Sequence, residues 1–284
     1  EVTDKWTSGN GTITTGRHGN GISIPNSLRI GLNPGPGSNR AIFGVAVKFN
    51  ALASQIFVVV DDPGGIIFRV ILSGLASGAL AVANGFSFVN YGISVPDVIK
   101  TGQWYYIELD TVIDAAVGSV KVYVDGVLQI NLTGLNTKES PGGSTTYGWN
   151  TAQLGRSAPA MLCDDFYVLD GTGAAPFNAP LGDTRIDVVR PNAVGVQDDW
   201  TPQPGSNANW DNVNDTTPDD DATYNHSATA GQIDLFEMED ISTGNTIKGA
   251  QMLISAKRTT EGFSQIAPLM RQSSINYQGS TVAL

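Results

Sequence analysis

Glu237 and Glu239 are the closest pair of glutamates in the chain, and in a strand residues two apart share a face. Glycoside cleavage uses two such carboxyl groups, one as an acid and one as a nucleophile or base. The fuller pattern of that chemistry, Glu-x-Asp-x-x-Glu or a near relative, is absent from a chain with only six glutamates. Glu237 and Glu239 fall at a strand end, and a solvated face accounts for them. The densest acidic passage, Asp198 to Asp221, holds seven Asp and no Lys or Arg. Asp215, Asp219, Asp220 and Asp221 can close around a cation, yet their spacing matches no calcium loop. A run of like charges also keeps a loop extended and solvated, which is the preferred reading, and a loop this long is a candidate contact surface.

Trp200 and Trp210 flank TPQPGSNAN, and Tyr224 follows. Such aromatics either stack on sugar rings or pin the loop to its own domain; the second is preferred. Cys163 is the single cysteine, so no intramolecular disulfide framework exists. Its neighbours Met161, Leu162, Phe166 and Val168 predict a buried core thiol, and a catalytic thiol would need a base. His18 and His226, the only histidines, lie far apart with no HxxxH spacing, which argues against metal binding or catalysis there. GRHGNG and NPGPGSN lack the Lys-Ser/Thr ending of a phosphate loop and read as turns. Asp61-Asp62 before Pro63-Gly64 either contributes to a rim site or serves a turn by accepting backbone hydrogen bonds; the turn is preferred.

These residues need a scaffold, and composition says it is made of strands. Across 284 residues, 33 Gly, 14 Pro and many Asn, Ser and Thr punctuate the apolar segments, and no sustained helical periodicity is present. The net charge of −11 is uneven: residues 1–176 carry 13 acids against 10 bases, and residues 177–284 carry 14 against 6. An acidic surface excludes the neutralisation of phosphates that nucleic-acid binding needs, and it repels an anionic membrane. No signal peptide is legible in EVTDKWTSGNG. The uncharged stretch Val70 to Phe88 is broken by Gly, Ser and Asn, so it reads as two buried strands around a small-residue turn rather than a membrane span.

In SVKVYVDGVLQI (119–130), alternating residues run into Asp125-Gly126 and resume after it, which predicts a hairpin with a type I′ turn. Further strands are expected at Gly21 to Pro25, Ala41 to Asn50, Ser54 to Asp61, Ile66 to Leu72, Ala79 to Ala83, Phe86 to Val89, Trp104 to Asp110, Ala152 to Gly155 and Asp164 to Leu169. Eleven or so strands with short turns suit a two-sheet sandwich. Trp104 is expected in the core, with Tyr106 and Glu108 on its face and Tyr105, Ile107 and Leu109 on the other. DGTGAAPFNAP (170–180) has a linker's composition. Beyond it LGDTRIDVVRPN, GQIDLFEMEDI, TIKGAQMLISAKR and FSQIAPLMRQS alternate as strands of a second unit.

GRHGNGISI, AIFGVAVKF, WYYIELD, VKVYVDGVLQ, QLGRS and CDDFYVLD occur in the order found in laminin-G-like, concanavalin-type jelly rolls, and the resemblance spans residues 16 to 170. In some relatives an acidic residue near the start of the last strand helps bind calcium, which makes Asp164 and Asp165 candidates. Calcium takes six to eight oxygens, so two adjacent strand residues pointing to opposite faces need further ligands. The whole series, with DTRIDVVRPN, WTPQPGSNANWDNVND, DDDATYN and IAPLMR, resembles virion proteins of tailed bacteriophages and prophages. In that family the second domain continues past the equivalent of 277–284, so the chain is expected to stop early or to pair its last strand with a neighbouring subunit.

The expected fold class is therefore all-β: a concanavalin/laminin-G-like jelly-roll sandwich at 1–170, a linker at 171–182, and a smaller acidic β-sandwich at 183–284. No catalytic residues and no cofactor are expected, calcium being the one ion with candidate ligands. The resemblance implies a non-enzymatic structural protein on the surface of a phage particle, either a capsid decoration or cement protein or a tail component. Its partners would be other virion proteins and copies of itself, a trimer being the candidate symmetry, with a host-surface glycan as a further partner and neither nucleic acid nor membrane. The alternatives are a glycan-binding, lectin-like adhesin and, third, a polysaccharide depolymerase.

Overall fold

A computed structural model of the chain describes residues 6–9, 11–25, 28–31, 39–52, 55–61, 67–85, 87–138, 151–155, 161–171, 173–203, 208–217, 219, 221–241, 244–259 and 264–284. The fold is all-β, as expected, and divides into unit 1, Glu1–Ile186, and unit 2, Asp187–Leu284. The division falls beyond the expected linker end at 182, because residues 181–186 are hydrogen-bonded to unit 1.

In unit 1 the strands are β1 (Trp6–Gly9), β2 (Thr12–Thr15), β3 (Asn20–Ile24), β4 (Leu28–Gly31), β5 (Arg40–Phe49), β6 (Gln55–Asp61) and β7 (Ile67–Gly74). They continue with β8 (Leu80–Asn84), β9 (Asn90–Ile93), β10 (Trp104–Val112), β11 (Gly118–Val124), β12 (Val127–Leu135), β13 (Thr151–Leu154) and β14 (Met161–Leu169). One seven-stranded sheet runs β1-β4-β13-β6-β7-β8-β9 and the other β12-β11-β10-β5-β14-β3-β2. Every strand pair in them is antiparallel.

Local chemistry sets several of these elements. Asp125 and Gly126 take φ of 48° and 77°, the two positive angles of a type I′ turn, and Val124 pairs with Val127 across it. The suspected span Val70 to Phe88 is β7, a turn and β8; among the described residues no helix is long and apolar enough to cross a membrane. The strand expected at Phe86 to Val89 starts instead at Asn90, and Phe86 lies outside the described residues. The Asn84 side-chain carbonyl accepts the Ser87 N–H at 2.8 Å and so holds residues 87–89 in a turn.

The inner faces of the sheets form one core. From β5 come Phe43, Val45, Val47 and Phe49, from β10 Ile107 and Leu109, from β11 Val120 and Val122, and from the opposite sheet Phe57, Val59, Leu72 and Val82. Phe43 and Phe57 stack between the sheets with centroids 5.6 Å apart. Cys163 is buried in this core, as expected, and desolvation raises its thiol pKa.

Unit 2 is built differently. Its strands are β15 (Pro191–Asp198), β16 (Thr201–Pro202), β17 (Asn225–His226), β18 (Asp234–Met238), β19 (Gln265–Ile266), β20 (Leu269–Gln272), β21 (Ile275–Gln278) and β22 (Val282–Ala283). Among the described residues they pair as β15-β18, β16-β17, β19-β22 and β20-β21, four two-stranded ribbons. Leu235 is the one buried hydrophobic residue of unit 2 among those described. TIKGAQMLISAKR, expected as a strand, carries no strand pairing in the structure. A strand exists only against a partner, and this chain offers the segment none among its described residues.

Candidate functional site

The polar chemistry of unit 1 collects on the outer face of the second sheet, the face turned away from the core. Register places Glu108, Gly44 and Tyr167 side by side on β10, β5 and β14, with Tyr106, Ala46 and Asp164 in the neighbouring row. Glycine at 44 is a requirement of this geometry. A β-carbon there would stand 2.6 Å from Tyr167 Cζ and 2.8 Å from Cδ1, so only glycine lets the Tyr167 ring lie across β5. The Tyr167 hydroxyl then donates to Glu108 Oε1 at 2.5 Å.

Residues 181–186 cross this face as a strap. The Leu181 N–H donates to the Tyr167 hydroxyl at 2.9 Å and the Gly182 N–H to Glu108 Oε1 at 2.8 Å. Asp183 receives both arms of the Arg17 guanidinium at 2.6 Å, and this bond raises the arginine's pKa. Thr184 Oγ1 and the Tyr106 hydroxyl lie 2.6 Å apart, and the Ile186 N–H donates to Asp165 Oδ1 at 2.9 Å. Tyr106, Glu108 and Asp165 are consequently buried, although they sit on the outside of a sheet. Burial is the main cause that pushes both tyrosines above the ordinary phenol pKa.

Trp104, expected in the core, is half-buried and by alternation faces outward with Tyr106 and Glu108, since Ile107 and Leu109 take the inner face. The same alternation reveals a carboxylate pair that the search for Glu-x-Asp-x-x-Glu passed over. Glu108 and Asp110 are two residues apart on a central strand and share the outer face. Asp110 is held by Arg40 Nε and a terminal guanidinium nitrogen, both at 2.8 Å. The legible signal was Glu-Leu-Asp within WYYIELD.

The calcium candidates are spent locally. Asp164 Oδ2 accepts the N–H groups of Arg17 and His18 at 2.8 and 3.0 Å, closing the GRHGN turn, and Asp164 Oδ1 accepts the Asp165 N–H at 2.9 Å. Asp165 sits at φ 53°, at the bulge of β14, and its Oδ2 is buried without a partner. Asp62 lies outside the described residues, and no group of three or more His, Cys, Asp or Glu able to hold a metal ion occurs among those described.

Desolvation, reinforced by Asp164, raises the Asp165 pKa. An acid whose pKa is higher folded than unfolded binds more protons when folded. Its contribution to stability is therefore lost as pH rises from the unfolded value of about 3.9 through the raised one. Thermal unfolding of unit 1 between pH 4 and 7 is expected to show a loss with rising pH that Asp165→Asn removes. Parallel wild-type and variant curves would contradict this.

In unit 2 the acidic passage turns inward on itself. Asn209 Nδ2 donates to Asp198 Oδ1, the Trp200 carbonyl and Asp234 Oδ2 at 2.7, 2.8 and 2.9 Å. Trp200 Nε1 donates to the Gln232 carbonyl at 3.2 Å, so this aromatic pins its loop to its own unit. Asp219 Oδ2 accepts the Thr223 hydroxyl at 2.8 Å and Asp221 pairs with Lys257, while Asp220 lies outside the described residues. Glu237 and Glu239 are exposed, and Glu239 Oε2 accepts the Arg190 N–H at 3.1 Å. His18 and His226 lie in different units.

One further concavity, open to solvent, lies at an end of the sandwich and is lined by residues that include Leu52, Ser77, Asp97, Ile99, Lys100 and Gln103.

No family model matches the chain, and no curated protein does. Similar solved structures include a Trypanosoma rangeli sialidase (15% identity, TM-score 0.40, covering 58% of this chain and 30% of the sialidase). An alginate lyase from Chlorella virus aligns at 11% identity and TM-score 0.40, over 59% of this chain and 93% of the lyase. A Caenorhabditis elegans galectin aligns at 10% identity and TM-score 0.34, over 51% and 94%. None of these three is a bacteriophage virion protein. The expectation of a non-enzymatic protein does not stand: a sialidase and an alginate lyase are among the similar structures.

Proposed function

We propose that this chain is a structural component of the outer surface of a tailed-bacteriophage particle, in a capsid decoration or in the tail, acting through contacts with other virion proteins and with copies of itself. The observation that carries this reading is the make-up of unit 2. Val188, Val194, Val196, Ile247, Met252, Leu253, Met270 and Ile275 are all exposed there, and two-stranded ribbons alone are marginally stable in water. Unit 1 closes its own core and so makes a rigid body to display. Antibodies against the full chain should decorate the outside of intact particles, with labelling visible by negative-stain electron microscopy. Labelling only after the particles are disrupted would count against a surface role.

A second reading, attachment to a host-surface glycan, is favoured by the open concavity where Ser77, Asp97, Lys100 and Gln103 lie beside Leu52. Glycan arrays probed with the full chain, with and without a chelator, test it. Binding lost on Asp97→Ala supports the cleft, and silence on the array removes the reading.

A further inference from the structure

Residues 246–258, TIKGAQMLISAKR, alternate like a strand, yet no strand among the described residues pairs with them, and they are exposed throughout. We propose that this segment is an assembly strand that docks on unit 2 of a second copy of the chain. This deepens the self-association reading above, on which it rests, by naming the surface.

Extended, the segment places Ala250, Met252, Ile254 and Ala256 on one face, four apolar residues in register. In the single chain Met252 is 52% exposed and Ile254 47%. Water does not hold such a face in place, and an unpaired strand leaves its backbone N–H and C=O groups open to a second chain. β15 in unit 2 is the counterpart. It has one strand neighbour, β18, and its residues alternate between half-buried and exposed, with Val194 and Val196 on the exposed side.

Charge selects the occupant. Lys248, Lys257 and Arg258 are half of the six bases in residues 177–284, and the segment has no acid. The same unit exposes Asp198, Asp199, Asp215, Asp219 and Asp221, so each copy carries both the basic apolar strand and the acidic surface that complements it. The Lys257–Asp221 pair joins these two regions within one chain, which demonstrates the match. A surface that bears both halves of a complementary pair suits closed association of identical copies.

The test uses the full chain, by sedimentation velocity and hydrogen exchange, with Met252→Asp/Ile254→Asp as the variant and Lys257→Glu as a second. Wild type is expected to sediment as a multimer with slow exchange across 246–258. The double variant should weaken association by at least about tenfold while the unfolding transition of unit 1 is unchanged. A multimer in which 246–258 exchanges freely, and which both variants leave intact, overturns the assembly strand but leaves self-association standing. A wild-type monomer at every concentration overturns both. If the double variant precipitates, the exchange pattern of the wild type decides.

Discussion

Phe43→Ala is expected to cost about 3–5 kcal/mol of the stability of unit 1. Phe43 is 1% exposed on β5, at the middle of its sheet, and its ring meets Phe57 across the gap between the sheets. Truncation removes one wall of that stack, and neighbours such as Val45, Val59 and Leu109 are fixed in their own strands and cannot collapse into the space. For a domain of this size the loss corresponds to roughly 10 °C in the unfolding transition. Differential scanning calorimetry of the full chain reads it directly, and a shift under roughly 2 °C would mean that the two sheets are not packed through this contact.

Gly44→Val should be comparably severe for a different reason. The added side chain would occupy the space where the Tyr167 ring lies, so the ring must leave β5. Glu108 then loses the hydroxyl that donates to it, and Leu181 loses the acceptor that anchors the start of the strap. Overpacking costs about 1–3 kcal/mol and a buried charged group short of a donor about as much again, so a loss of roughly 3–5 kcal/mol is expected. Hydrogen exchange distinguishes this from a general loss of core: residues 181–186 should exchange sooner while β6 and β7 stay protected. Unchanged protection of 181–186 would show that the strap does not depend on Tyr167.

Much of unit 1 was legible because its signals are local. Asp125-Gly126 specifies its own turn, and the alternation of 41–50 and 104–110 specifies strands whichever sheet they join. β1 and β2 were missed because four-residue strands rich in Thr, Ser and Gly gain their order from neighbours rather than from pattern, and β4, LRIG, because four residues are too few to display alternation. Trp104 was assigned to the wrong face because a strand apolar on one side and covered on the other alternates without declaring which side is the core. The outer-face site was only half visible. Glu108 and Asp110 stand in plain sequence, but the strap that buries Glu108 comes from 74 residues away, and no local rule announces it. The segment 246–258 makes the converse point: its strand pattern is clear, and no strand among the described residues pairs with it.

Electron cryomicroscopy of intact particles containing the chain bears most directly on the claim that it works by assembly at a surface. Density for the two-sheet body of unit 1 should lie on the outside of the head or tail, with unit 2 interleaved among symmetry-related copies and 246–258 paired to one of them. Particles that hold the chain only as isolated single copies in the interior would contradict the account.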